Sequence, residues 1–366
     1  MSSKQTIKIT GADEAVARFA QDAVNVLTGA DYNLELQFYL DYRCDQNCRG
    51  CYDRDIAKIC KGSIPSWDIA HFVRHFKDVE NYASKTCITG GEATLRPTDE
   101  LGYIIQKILS SGSAVELKTN ATWVNDTQKA KEMWRMLSGL KVSKALLYKE
   151  PDEIEKFVKT IPNLKQLSQE ERWSKLTEHF PEVSAFRLAV SVDNIIHQEY
   201  SAYDFAKVAL HVTNSPELSE KIDLGVVTMT NSYDWFSEKI FGNPDLKCTN
   251  IRKNCQRFDF KLNGRPVIGV ISNFYNVNSL VKPISSIEEL LRRESKDSRP
   301  RLILCFHPDR TVSFQYNFKP IGRVSYIADN GKYKSWETLC MEMAVQLTKD
   351  FAEARKQQFK KNYCRN

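Results

Sequence analysis

The sequence predicts an α/β fold built from parallel βα units. Three observations carry this. Strand-like runs with period-two alternation recur between segments of helical period, joined by short links. Hydrophobic residues make up 42% and charged residues 27% of the chain, the balance of a packed core rather than of a disordered polymer. At 366 residues the chain has room for one large α/β domain and a smaller module. From pattern alone the units close into a barrel or wind into an open sheet.

The elements follow in order. Residues 12 to 28 place Val16, Phe19, Ala20, Val24 and Leu27 at helical spacing. Residues 34 to 42 alternate as a first strand, and a cysteine-rich loop follows at once. Ser66 after Pro65 caps a helix with Ile69, Phe72, Val73 and Phe76 on one face. A second strand over 85 to 89 runs into Gly90-Gly91. Thr98 caps the helix bearing Leu101, Ile104, Ile105, Ile108 and Leu109. A third strand spans 115 to 119, and Asp126 caps a helix that turns Ala130, Trp134 and Leu137 inward. Residues 141 to 183 interrupt the rhythm with a charged helical insertion, marked by the capping-box pair Ser168 and Glu171. Strand and helix resume at 186 to 192, 203 to 213 and 222 to 228. From about 241 the pattern changes to strand-like segments at 266 to 272, 301 to 306 and 311 to 318. The last two form a hairpin across a Pro-Asp turn, and a terminal helix starts near Trp336. Three regions are expected: an N-terminal helical extension over 1–30, a core over 31–240, and a C-terminal module over 241–366. There is no internal repeat and no low-complexity tract.

Net charge is +6, which permits an anionic partner without requiring one. The basic cluster Lys356, Lys360, Lys361 and Arg365 reads as a solvated terminal helix. No run of about 18 apolar residues predicts a membrane span. The polar first ten residues carry no secretory pattern, so the expected compartment is the cytoplasm. There the ten cysteines are expected as thiols or metal ligands rather than disulfides.

Cys44, Cys48 and Cys51 stand in a CxxxCxxC loop just after the first strand. Three thiolates can hold three irons of a 4Fe-4S cluster and leave the fourth open for chemistry. A structural zinc site is an alternative, but it wants four ligands, and Cys60 is the only other thiol nearby. A redox pair would use Cys48 and Cys51 and leave Cys44 without a role. The remaining thiols, Cys248, Cys255, Cys305, Cys340 and Cys364, are widely spaced and read as buried free cysteines. His307 reads as a turn or surface residue.

The loop CDQNCRGC, followed about 40 residues later by Thr89-Gly90-Gly91-Glu92 at the end of the second strand, resembles the radical S-adenosylmethionine (radical SAM) superfamily. The resemblance covers roughly residues 34 to 235. It implies a partial (β/α)6 TIM-like barrel with a 4Fe-4S cluster on Cys44, Cys48 and Cys51 at the C-terminal ends of the strands. It also implies that Gly90, Gly91 and Glu92 meet the methionine amino group of SAM. Glycines admit close backbone approach, and a carboxylate suits an ammonium. Asn120 after the third strand, and Ser191 and Asp193 after the fourth, are the further cofactor-side candidates. Val226 to Met229 are candidates to line the adenine. The residue before the third cysteine, often aromatic in the family, is Gly50 here, which makes Tyr52 the candidate for the adenine contact.

The chemistry so implied is reductive cleavage of SAM to a 5′-deoxyadenosyl radical that abstracts hydrogen from a substrate. The electron comes from a reductant such as flavodoxin or ferredoxin. A radical of this kind needs a cover, for which 141–183 and 241–366 are the candidates. The hairpin from Leu304 to Phe314, with Ile321 to Val324, resembles a SPASM or twitch module, which points to a peptide or protein side chain as substrate. Arg310 and Phe314-Gln315 replace the glycine and cysteine expected there, which argues against an auxiliary cluster. A nucleoside, tRNA or small metabolite is the second expectation, and a non-catalytic zinc or iron–sulfur protein the third.

Overall fold

The structure is a computed structural model. It describes residues 14–28, 32–46, 48, 51, 57–58, 61–77, 85–146, 151–163, 166–179, 182–194, 201–229, 232–253, 257–272, 286–290, 301–316 and 319–363.

The chain begins with α1 (Glu14–Thr28), then β1 (Asn33–Tyr39), α2 (Ser66–Lys77), β2 (Lys85–Thr89), α3 (Thr98–Ser110), β3 (Ala114–Thr119) and α4 (Thr127–Gly139). The insertion follows as β4 (Lys144–Leu146), α5 (Pro151–Thr160), α6 (Gln169–His179) and β5 (Glu182–Ser184). The repeat resumes with β6 (Phe186–Ser191), α7 (Ser201–Asn214), α8 (Pro216–Lys221), β7 (Asp223–Met229) and α9 (Tyr233–Phe241). The remainder is β8 (Cys248–Lys253), β9 (Arg257–Leu262), β10 (Arg265–Ser272), β11 (Arg301–Phe306), β12 (Thr311–Tyr316), β13 (Lys319–Ser325) and α10 (Trp336–Tyr363).

One open sheet of eleven strands organises the molecule, in the order β13-β12-β11-β1-β2-β3-β6-β7-β10-β9-β8. The central run from β11 to β10 is parallel throughout. From β1 to β10 the chain steps in one direction across the sheet. Right-handed crossovers then set the connecting helices on one face. That face carries the main core: Leu34, Leu36 and Phe38 of β1, Val115 and Leu117 of β3, and Phe186, Leu188 and Val190 of β6, packed with Ile104, Ile105, Leu137 and Phe205 of the helices. The repeat is therefore the expected α/β series, with antiparallel pairs at both edges and no barrel closure among the described residues.

The region from 241 onward contributes directly to this sheet. β10 is the next parallel strand beyond β7, and β11 pairs in parallel on the far side of β1. The hairpin β11–β12 is thus an extension of the main sheet. The first strand ends earlier than expected, at Tyr39, because Asp41 bridges instead to Ser63. Thr98 is not a cap: Pro97 holds that position without a side-chain bond, and the Thr98 hydroxyl accepts from Lys129 Nζ at 3.1 Å. Asp126 caps α4 as expected, accepting from Gln128 N and Lys129 N. The capping box of the insertion is also formed: Ser168 N donates to Glu171 Oε2 at 2.7 Å and Glu171 N to Ser168 Oγ at 3.2 Å. α1 and α10 close the molecule through stacked Phe19 and Phe351, with centroids 4.2 Å apart. Among the described residues no helix is long and apolar enough to cross a membrane.

Candidate functional site at the strand ends

The segment leaving β1 is clamped from both sides. Leu40 N donates to Thr89 O at 3.0 Å, and Ile64 N donates to Leu40 O at 2.8 Å. Glu92 N then donates to Arg43 O at 2.7 Å, one residue before Cys44. Both glycines of the Gly-Gly-Glu segment have positive φ, +93° and +50°. A Cβ on Gly90 would stand 2.8 Å from Tyr39 Cα, and one on Gly91 only 2.0 Å from Arg43 O. The close approach these glycines permit in this chain is to the stem of the cysteine loop.

Glu92 is the staple of the site. The residue is 2% exposed. Oε1 accepts from Thr94 N at 3.1 Å, Thr94 Oγ1 at 2.5 Å and Thr119 Oγ1 at 2.7 Å, and Oε2 accepts from Asn120 N at 2.7 Å. Burial pushes its pKa up against these bonds. Where the sequence suggested a carboxylate presented to a ligand ammonium, both oxygens are engaged inside the protein and tie the end of β2 to the end of β3.

Asp45 makes the next link. Asn120 Nδ2 donates to its Oδ1 at 2.8 Å, Thr122 Oγ1 donates to its Oδ2, and Thr122 N donates to Asn120 Oδ1 at 3.1 Å. Ala121 between them has φ +63°, a left-handed turn that sets the Asn120 and Thr122 side chains onto the same acceptor. Cys44, Asp45, Gly90, Gly91, Glu92 and Asn120 are thereby brought together at the C-terminal ends of β1, β2 and β3. Ser191 lies at the end of β6, one strand further on. Asp193 follows it, 1% exposed, its backbone N–H and C=O both bonded to the Ser201 hydroxyl. Val226 belongs to the helix-side core, and alternation turns Val227 to the other face. Tyr52, Gly50, Cys60, Cys255, Cys364 and Arg365 lie outside the described residues.

The cysteine loop supplies three thiols, none of them in a disulfide among the described residues. Gln46 connects two of them: its N–H donates to Cys44 Sγ at 3.4 Å, and Cys48 Sγ donates to its Oε1 at 3.5 Å. Cys51 N donates to Cys48 O at 3.5 Å, completing a turn. The Gln46 Nε2 is buried with no hydrogen-bond partner among the described residues. Desolvation first, then the charges of Asp45 and Glu92, push the Cys44 thiol up to about 12, against the Gln46 N–H. No three His, Cys, Asp or Glu side chains among the described residues converge closely enough to enclose a metal ion. The donor chemistry fits a thiolate-bound iron site, and loading it requires the thiols to draw inward and lose their protons.

Two features were not legible in the sequence. His307 is buried, 1% exposed, rather than at the surface. Its Nδ1 pairs with Tyr42 Oη at 2.8 Å and its Nε2 with Ser313 Oγ at 2.7 Å, and its ring stacks on Tyr39. Burial pulls its pKa down to about 3, so the ring is neutral at pH 7. Asp68 of α2 is likewise buried and accepts from Tyr326 Oη at 2.8 Å and Tyr333 Oη at 2.6 Å. Both link the first third of the chain to the last sixth.

No family model and no curated protein matches the chain. Among solved structures, it is similar to Streptococcus suis SuiB at 14% identity and a TM-score of 0.36, over 81% of this chain and 63% of that one. SuiB bound to its precursor peptide SuiA is similar at 13% identity and the same TM-score, over 87% and 71%. Native anSMEcpe with bound AdoMet is similar at 15% identity and a TM-score of 0.30, over 56% and 49%. The chain thus spans less than two thirds of the first of these proteins.

Proposed function

We propose that the chain is a radical SAM enzyme. The observation that carries this reading is the physical union of the two motifs. The three-cysteine loop and the Gly90-Gly91-Glu92 segment are fastened together through Arg43, Asp45, Asn120 and Glu92 at the C-terminal ends of adjacent parallel strands. That end of a βα series is where such folds place their chemistry.

Cys44, Cys48 and Cys51 would hold a 4Fe-4S cluster with one iron left for SAM. Bound there, the cluster and SAM supply an adenosyl radical able to take hydrogen from an unactivated carbon. The rest is the work of this chain's residues. Glu92 fixes the spacing of the strand ends. Asp45 holds the loop against Asn120 and Thr122. Ser191, Asp193 and Tyr52 are assigned to the SAM side of the site. Gln46, which bonds to Cys44 and Cys48, would have to leave both thiols for a cluster to bind. The substrate we assign is a peptide or protein side chain, on the hairpin sequence at 304–314, and the electron donor is a flavodoxin or ferredoxin.

The test is anaerobic reconstitution with iron and sulfide, followed by dithionite reduction with SAM. The expected result is a 4Fe-4S spectrum and release of 5′-deoxyadenosine, both lost in Cys48→Ala. A wild-type protein that binds zinc alone, or that takes up iron without cleaving SAM, would show a non-catalytic metal protein instead.

A further inference from the structure

In each parallel strand, alternate residues point away from the helices. In β1 these are Glu35, Gln37 and Tyr39; in β2 Lys85, Cys87 and Thr89; in β3 Glu116 and Lys118; in β6 Arg187, Ala189 and Ser191; in β11 Arg301, Ile303 and Cys305. The corresponding face of barrel-forming βα folds is filled by branched aliphatic side chains. Here it is crossed by a belt of charge, which costs desolvation and calls for a partner.

The belt is not neutral. Glu116 is approached by Lys85 at 2.9 Å, Arg187 at 3.6 Å and Lys118 at 3.9 Å. Glu35 is matched by Arg301 at 3.4 Å and accepts from Gln37. Asp223, beyond Arg187, accepts from Ser184 N and faces Lys144 and Arg265 as well. Three cations therefore share one carboxylate, and two positive charges are left over. Exposure separates the two signs. The Glu116 side chain is 11% exposed, while Lys118, Lys85 and Arg187 keep 35%, 33% and 25% of their side chains open. An incoming anion can reach the cations, and a cation cannot reach Glu116.

The belt also has a direction. Lys118 is two residues from Asn120, which alternation places on the same face and which holds Asp45 beside Cys44. At about 3.3 Å per residue, Lys118 sits roughly 7 Å beneath the candidate site. Arg187 stands opposite Glu116 on the next strand. Past Asp223, which stands opposite Arg187 on β7, the same face carries Val227, half-buried, and Val270, 45% exposed.

We infer that this belt is an oxyanion site, in which Lys118 and Arg187, backed by Lys85, hold a carboxylate or phosphate of the substrate with its apolar part toward Val227 and Val270. That the ligand is the substrate rests on the reaction site proposed above. The oxyanion site itself rests on the belt alone.

The test uses the full chain, with neither cluster nor SAM added, and follows its unfolding temperature against inorganic phosphate or succinate at ionic strength held constant with sodium chloride. A saturable rise with at least one of the two is expected. The apparent affinity should fall about tenfold or more in Lys118→Gln and in Arg187→Gln, recover in part in Lys118→Arg, and hold in Lys349→Gln on exposed α10. A response to phosphate alone assigns a phosphorylated substrate, and a response to succinate alone assigns a carboxylate. No saturable rise with either, or an unchanged affinity in Lys118→Gln, overturns the inference. Should the variants not fold, amine-reactive footprinting of wild-type Lys118 decides, since the oxyanion must protect it. SAM cleavage is measured separately. Its failure with oxyanion binding intact removes the radical chemistry only, and the reverse removes the oxyanion site only.

Discussion

Glu92 shows how far a single side chain shapes the site. It receives four hydrogen bonds while almost fully buried, so the carboxylate is worth more as a joint than as a free ligand. In Glu92→Gln an amide nitrogen would face donors that need an acceptor. The expected loss is about 1–3 kcal/mol, read as a lowered urea midpoint with an unchanged slope. His307 gives a pH-dependent counterpart. Its folded pKa lies below the ordinary value of 6.5, at about 3, so the unfolded chain binds the proton first. The stability it contributes is complete above pH 6.5 and is lost as pH falls toward 3. The difference in urea midpoint between wild type and His307→Gln should therefore shrink steadily across that window. Glu116 acts in the next window down. Burial would raise its pKa, but Lys85, Lys118 and Arg187 outweigh burial and hold it at about 2. Its contribution is lost between the ordinary carboxylate value of 4.5 and about 2. In Glu116→Gln the acid limb of the stability curve should flatten below pH 4.5. The three cysteines and Gly-Gly-Glu were legible because each is a short contiguous string. Asp45, which joins them, was not: its partners Asn120 and Thr122 are 75 and 77 residues away, and an Asp beside a Cys has no signature of its own. Tyr42 and His307, 265 residues apart, were hidden for the same reason.

At the scale of elements, the sequence read the βα repeat well because each strand and helix carries its own period. It misplaced the boundary at Thr98 because Pro97 already fixes the backbone where the cap would stand. The hairpin turn is the other departure. Arg310 sits at φ +61°, a conformation that favours glycine, and pairs with Asp68 at 3.5 Å while its side chain is 46% exposed. Left-handed strain of about 1–2 kcal/mol is set against an ion pair whose buried carboxylate keeps the Tyr326 and Tyr333 hydroxyls when Arg310 is removed. Arg310→Gly is accordingly expected to unfold at a higher temperature than wild type, and Arg310→Ala, which keeps the strain and loses the pair, at a lower one. Gly91→Ala meets Arg43 O at a distance no Cβ tolerates. It should displace the stem of the cysteine loop, and reconstituted iron per chain should fall while the far-UV circular dichroism spectrum is kept.

For the whole molecule, the sheet order is the part that no local pattern conveys. The expectation of a C-terminal module over 241–366 followed from a change of style near residue 241. Pairing is decided by edges and apolar faces rather than by style. Leu302, Leu304 and Phe306 complete the core beside Leu34, Leu36 and Phe38, and Phe38 and Phe306 stack at 4.9 Å. A chain cut after residue 290 would expose β1 as an edge and uncover Phe19 and Val24 of α1, which pack in the core that α10 completes. It is expected in the insoluble fraction on expression, and the full chain in the supernatant.

The position of β11 also sets a timetable for synthesis. β1, which carries the cysteine loop at its end, leaves the ribosome before every other strand of its sheet, yet one of its two neighbours is encoded about 270 residues later. Until that neighbour emerges, the strand beneath the loop has one side unpaired and the Tyr42–His307 bond cannot form. The thiols therefore pass most of the period of translation on an unfinished support. The loop gains its full support only once β11 has been made.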